Sequence, residues 1–195
     1  MSSPTDQDLR FHDGPWTEDD YLALPDDHSR VELVDGSLVV NPGPNVWHQR
    51  LSSRLCWALE RARPDGMEAL EAVNVRVGPG RILIPDLVVV GRPHIEATVL
   101  AASDVLMAVE IVSPGSVAAD RAIKLPLYAE ARIATYARIE LHRWHPSAAV
   151  YHLEGGGYVE APDSQGDQLL RLTDPFAAHI DLAALLATER PSSSP

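Results

Sequence analysis

Lysine is almost missing from this 195-residue chain: of 16 basic residues, 15 are arginine and the only lysine is Lys124. Cysteine is as scarce, a single Cys56, so no disulfide can form within the chain, and this usage fits a reducing, cytoplasmic setting. Cys56 falls in an amphipathic helical pattern, where packing is expected of it rather than reactivity. No apolar run approaches the roughly 20 residues of a membrane helix, so no membrane partner is expected, and the acidic N-terminal stretch does not read as a signal peptide. Positive charge is short too. The net charge of −12 argues against a general nucleic-acid coat protein, since non-specific affinity for phosphate is cationic, but it leaves room for an enzyme that acts on nucleic acid. Residues 1–30 hold eight acids against Arg10 and Arg30, half of that net charge. Helix-turn-helix and zinc-finger spacings are lacking, as is any internal repeat.

What remains suffices for one well-cored domain. Residues 1–15 are polar and aperiodic and are expected to be disordered, as is a tail at 189–195, leaving a single domain over 16–188. Thr17 with Asp20 has the spacing of a capping box for a short helix ending before Pro25. Val31-Glu32-Leu33-Val34, Asp35-Gly36 and Ser37 to Val40 form a hairpin pattern, with Asp-Gly supplying the positive φ of a type I′ turn. Asn45 suits the N-cap of a helix reaching Arg63, with an apolar stripe of Trp47, Leu51, Leu55, Ala58, Leu59 and Ala62. His48 lies off that stripe at the first turn, as do Arg50 and Arg54, which read as a solvated face rather than as phosphate contacts. Strands are expected over 72–77, 135–144, 149–153 and 169–172, and a last short helix over 181–187.

Two apolar runs stand out, Ile82 to Val90 and Val105 to Val112. Each has the length and β-branched content of a strand buried on both faces, and each contains one carboxylate, Asp86 or Glu110. A lone buried carboxylate is costly unless a cation faces it. Two on neighbouring strands would either share a proton or recruit a divalent ion, and oxygen-only ligands favour Mg²⁺ or Mn²⁺. Lys124 follows in a helical pattern beginning near Ser116, with Asp120, Lys124 and Tyr128 on one stripe. A chain that otherwise writes arginine has reason to place here a compact ammonium of adjustable pKa; the alternative is a solvated pair with Asp120. Glu32 reads equally as an exposed edge charge or as a site residue. Pro126 inside that helix should kink or restart it.

The ordered set of Val31-Glu-Leu-Val-Asp-Gly36, His48-Gln49, Pro85-Asp86, Glu110 with Ser113-Pro114, Asp120-Arg121, Lys124 and Tyr128 resembles the Uma-two family of restriction-endonuclease-like proteins, placed in the PD-(D/E)XK nuclease superfamily. The resemblance extends from about Trp16 to the closing strands. It implies an α/β (α+β) fold, with a central mixed β-sheet flanked by helices, an N-terminal β-hairpin and additional C-terminal strands. It further implies Asp86 and Glu110 as ligands of Mg²⁺ or Mn²⁺, with the backbone carbonyl of Ile111 or Val112. The superfamily lysine, two residues after the second acid, corresponds to Val112; the family is similar in carrying it on the next helix, where Lys124 stands. The expected activity is metal-dependent hydrolysis of phosphodiester bonds in nucleic acid, DNA above all, by a homodimer. Glu32 and His48 are further candidates for a ligand or for positioning the nucleophile. The alternatives are a nuclease-like binding or assembly module that does not cut, and a phosphoesterase acting on small nucleotides. Where the family often has Gly and Pro after the helix, this chain reads Ala131-Arg132-Ile133-Ala134.

Overall fold

The computed structural model describes residues 12–24, 30–41, 43–112, 117–142, 145–162, 166 and 168–187, with backbone only for 117–122. Residues 1–11 of the tail expected over 1–15, the tail at 189–195, the Ser113 to Ser116 turn and the side chain of Asp120 lie outside the described residues, whereas 12–15 are described.

The chain opens with helix α1 (Glu18–Leu22), held by the expected capping box: Thr17 Oγ1 accepts from the Asp20 N–H, and the Asp20 carboxylate accepts from the Thr17 N–H. Strands β1 (Arg30–Val34) and β2 (Ser37–Asn41) form the hairpin, with Asp35 at φ 49° and Gly36 at φ 79°, both left-handed as a type I′ turn requires. Asn45 then caps α2 (Val46–Ala62) through the N–H groups of Trp47 and His48. The buried stripe of α2 is Leu51, Ser52, Leu55 and Leu59. Trp47 and Ala62, expected on it, are exposed. Burial of each of the three leucines contributes about 1.5–3 kcal/mol.

The run Ile82 to Val90 is not one strand. Its first part is β5 (Arg81–Leu83) in a five-stranded sheet and its last is β6 (Leu87–Val90) in a six-stranded one, with Ile84-Pro85-Asp86 crossing between them. Pro85 has no N–H for a ladder. The Ile84 N–H is taken by a side chain, the Glu32 carboxylate at 2.8 Å. The run therefore joins two sheets, and Asp86 sits where the chain passes from one to the other.

The five-stranded sheet has the order β2-β1-β5-β4-β7, completed by β4 (Asn74–Gly78) and β7 (Val99–Ala101). The six-stranded sheet runs β11-β10-β9-β8-β6-β3, built with β3 (Glu68–Glu71), β8 (Val105–Val112), β9 (Thr135–His142), β10 (His145–Glu154) and β11 (Gly157–Glu160). Only β8 and β9 are parallel in it, and α3 (Val117–Glu130) spans the connection that a parallel pair requires. A two-stranded sheet of β12 (Leu169–Leu172) and β13 (Ala178–Asp181) precedes α4 (Leu182–Leu186). The mixed sheets and flanking helices are those expected. Strands β3, β7, β11 and β13 were not foreseen: each has three or four residues, and its pairing partner rather than its own pattern makes it a strand.

Both faces of the six-stranded sheet are covered. Leu87 and Val89 of β6, with Met107, Val109 and Ile111 of β8, pack against α2 and α4, while Val88, Val90 and Ala108 pack against α3. Since Leu87 pairs with Val109 across antiparallel strands, Asp86 and Glu110 lie next to that pair, and alternation turns Glu110 to the α3 face, where Lys124 and Tyr128 meet it.

Helix α3 runs unbroken through Pro126, whose ring is exposed; the expected kink does not interrupt the helix. It ends in a Schellman motif, with the Ile133 N–H donating to Tyr128 O at 3.2 Å and the Arg132 N–H to Ala129 O at 3.0 Å. Arg132 occupies the left-handed position at φ 64°, where glycine is the usual residue. Arg132→Gly is expected to stabilise the protein by about 1 kcal/mol, raising the melting temperature by roughly 2–4 °C. A calorimetric scan showing a lower midpoint would contradict the strain at this residue.

Candidate active site

Three buried carboxyl groups meet where the two sheets and α3 adjoin. Glu32 comes from β1, Asp86 from the connector and Glu110 from β8, and they are 2%, 4% and 4% exposed. Lys124, from the second half of α3, stands between two of them, with Nζ 2.9 Å from Glu32 Oε1 and 3.1 Å from Glu110 Oε1. Tyr128, one turn on, donates its hydroxyl to Glu110 Oε1 at 2.6 Å. Its ring lies against Tyr136, centroids 5.7 Å apart, which closes this side to water.

Asp86 is served by other donors. Arg30 Nη1 lies 2.7 Å from Oδ1, His48 Nε2 lies 3.2 Å from Oδ2, and the Ile111 N–H donates to Oδ2 at 2.7 Å. The last bond ties Asp86 directly to the residue after Glu110. His48 reaches the site because Asn45 starts α2 at the mouth of the sheet junction. Glu32 is fixed at both oxygens: Oε1 by the Ile84 N–H and Lys124, Oε2 by Asn41 Nδ2 at 2.8 Å.

Three carboxyl groups thus share two permanently charged partners, Arg30 and Lys124. Burial pushes the Glu110 carboxyl up to about 8, with Asp86 and Glu32 adding to the rise and Lys124 opposing it. Burial works in the same direction on Asp86, but His48, Arg30 and the Ile111 N–H outweigh it and hold its pKa below the ordinary aspartate value. Burial opposes the charge on Lys124, and Glu110 and Glu32 overcome it, so the ammonium persists. Glu110 is therefore the acid that keeps its proton most readily, and Asp86 the one that stays ionised.

All the residues singled out from sequence, Glu32, His48, Asp86, Glu110, Ile111 and Lys124, lie in this one cluster. Arg30, Asn41 and the Ile84 N–H were not anticipated as members. Arg30 had a readable signal, since it lies two residues before Glu32 on the same face of the hairpin; Asn41 and Ile84 had none. Arg54, read as solvated, instead donates to the Leu185 and Ala187 carbonyls at the end of α4, and Arg50 lies 4.7 Å over the Trp47 ring.

Among the described residues no three of His, Cys, Asp and Glu form a ready-made cation cage. The donors that would serve here are of another kind, two carboxylates and a main-chain carbonyl, an all-oxygen set suited to a hard divalent ion. The shortage of positive charge fits such an ion. Two buried nitrogens of the cluster, Arg30 Nε and His48 Nδ1, have no hydrogen-bond partner among the described residues; the first is a donor and calls for an acceptor oxygen, not for a cation.

The fold is shared with a putative nuclease belonging to DUF820 from Anabaena variabilis ATCC 29413, at a TM-score of 0.71 and 19% identity, covering 89% of this chain and all of that one. Residues 18–185 match the Uma2 family, described as putative restriction endonucleases, and the chain belongs to that family. No protein of curated function matches it. Among the described residues no helix is long and apolar enough to cross a membrane.

The raised Glu110 pKa has a measurable consequence. The folded state holds this proton more tightly than the unfolded chain does, so the stability it adds is complete below the ordinary glutamate value of 4.5 and is lost as the pH rises to about 8. Asp86 acts oppositely, its contribution being lost only as the pH falls below the ordinary aspartate value of 3.8. The metal-free melting temperature should therefore fall from pH 5 to pH 8, and Glu110→Gln should flatten that slope. An equally steep slope in the variant would show that other groups cause it.

Proposed function

We propose that this protein is a metal-dependent endonuclease that hydrolyses phosphodiester bonds, in DNA above all, using Mg²⁺ or Mn²⁺. The observation that carries the reading is the convergence of Asp86, Glu110 and Lys124 at one sheet junction, within a chain of the Uma2 family. In this reading residues 16–188 act as one nuclease domain in the cytoplasm. Two such sites are needed to cut both strands of a duplex, which a homodimer supplies.

Asp86, Glu110 and the Ile111 carbonyl would hold the ion. In extended backbone a residue's N–H and C=O lean to the same side, and the Ile111 N–H already meets Asp86. When bound, the ion supplies charge to the scissile phosphate and acidifies a water molecule. Lys124 presents a fixed ammonium beside Glu110, where it can orient the attacking water or meet the charge that develops on the phosphate. Glu32 holds Lys124 in that place from the opposite side. His48, hydrogen-bonded to Asp86, fixes the carboxylate's direction and is the second candidate for positioning the nucleophile.

One observation favours a rival. Both oxygens of Asp86 already accept protein donors, as suits a nuclease-like binding or assembly module that no longer cuts. Calorimetry with Mn²⁺ separates the two, because a scaffold has no need of the ion. For the enzyme, Asp86→Asn and Lys124→Gln should each lower Mg²⁺-dependent cleavage of DNA by roughly 10²-fold or more, with circular dichroism unchanged. Undiminished cleavage in both would remove these residues from the mechanism. A third reading, a phosphoesterase acting on small nucleotides, would show itself by hydrolysis of mononucleotides in place of DNA.

A further inference from the structure

The Asp86–Arg30 pair offers more than a charge balance. Arg30 meets Asp86 through one nitrogen only, Nη1 to Oδ1 at 2.7 Å; Nη2 reaches the Ile84 carbonyl at a long 3.4 Å, and Nε is buried without a hydrogen-bond partner among the described residues. A guanidinium anchored for good in a buried site ordinarily uses its fork, two parallel bonds to one carboxylate. This one is held end-on with a donor left over. Its side chain is also more open than the acid it serves, 22% exposed against 4%, so it has a way out toward solvent that Asp86 lacks. His48 and the Ile111 N–H fix the other oxygen, Oδ2, and would keep Asp86 in place without Arg30.

We propose that Arg30 is the resident stand-in for the metal ion: it occupies Oδ1 of Asp86 while the site is empty of metal, is displaced when a divalent cation takes that oxygen, and then binds the phosphate of the substrate. The inference rests on the function proposed above and adds to it. Two positive groups cannot share one buried carboxylate oxygen without strong repulsion, so metal binding and the Arg30 contact exclude each other. Once released, a permanently charged fork beside the metal site can take the paired oxygens of a phosphodiester. Arg30 thereby holds the empty site together at the cost of metal affinity, and puts the same charge to use when substrate and metal are both present.

The test measures metal affinity and cleavage separately. Arg30→Gln, which is shorter, stays polar and loses the charge, should bind Mn²⁺ by calorimetry about tenfold more tightly than the unaltered protein, yet cleave DNA at least tenfold more slowly at saturating Mn²⁺. Arg30→Lys should bind Mn²⁺ near the unaltered affinity. If Arg30→Gln binds Mn²⁺ equally or more weakly, Arg30 merely braces Asp86 and the inference fails; if cleavage rises along with affinity, its phosphate role fails. Should Arg30→Gln not fold, the unaltered protein decides: saturating Mg²⁺ should shift the Arg30 side-chain ¹⁵N signal, and an unmoved signal overturns the displacement. Absence of any Mn²⁺ binding by the unaltered protein would sink both the inference and the metal-dependent function. Binding by the unaltered protein without the gain in Arg30→Gln would sink the inference alone.

Discussion

Burying carboxyl groups against too little positive charge is the constraint that organises this molecule. Glu32, Asp86 and Glu110 are almost fully withdrawn from water, and the donors that meet them come from five elements: the hairpin, the connector, α2, β8 and α3. An uncompensated buried carboxylate is costly enough to unfold a marginal domain. The acids therefore pin five elements to one point. The site and the sheet junction are therefore the same object.

The same constraint explains a departure from regular structure. A continuous strand from Ile82 to Val90 would have kept Ile84 and Asp86 in a ladder. Pro85 breaks the ladder, the Ile84 N–H turns to Glu32, and Asp86 is freed to take the Ile111 N–H with its side chain. The backbone bonds that a sheet would have made are replaced by carboxylate bonds, and this exchange sets two acids from different sheets around Lys124. The apolar residues on either side of the break, fully buried in their own sheets, hold the connector taut.

Much of this was legible in the sequence. Acids inside the Ile82 to Val90 and Val105 to Val112 runs pointed to the site, because apolar strands tolerate such residues only for a reason. The isolated lysine pointed to Lys124, and the hairpin, the cap at Asn45 and the helix carrying Lys124 followed from local turn and capping chemistry. Glu32 could not be decided from its strand, since alternation alone does not say whether an edge residue faces water or a second sheet. Arg30 carries one local signal, its place two residues before Glu32 on the same face of the hairpin, but nothing local ties it to Asp86, 56 residues away.

The sequence by itself determined which side chains must be compensated and which local elements carry them, because burial of a run and the cost of a charge within it depend only on residue type and period. The tertiary structure alone decided the pairing: that Lys124 lies between Glu32 and Glu110 rather than beside Asp120's end of the helix, that Arg30 and His48 share Asp86, and that the apolar run splits between two sheets. Such choices depend on contacts between residues far apart in the chain, where no local periodicity reaches and only the packing of sheets and helices sets which donor arrives at which acid.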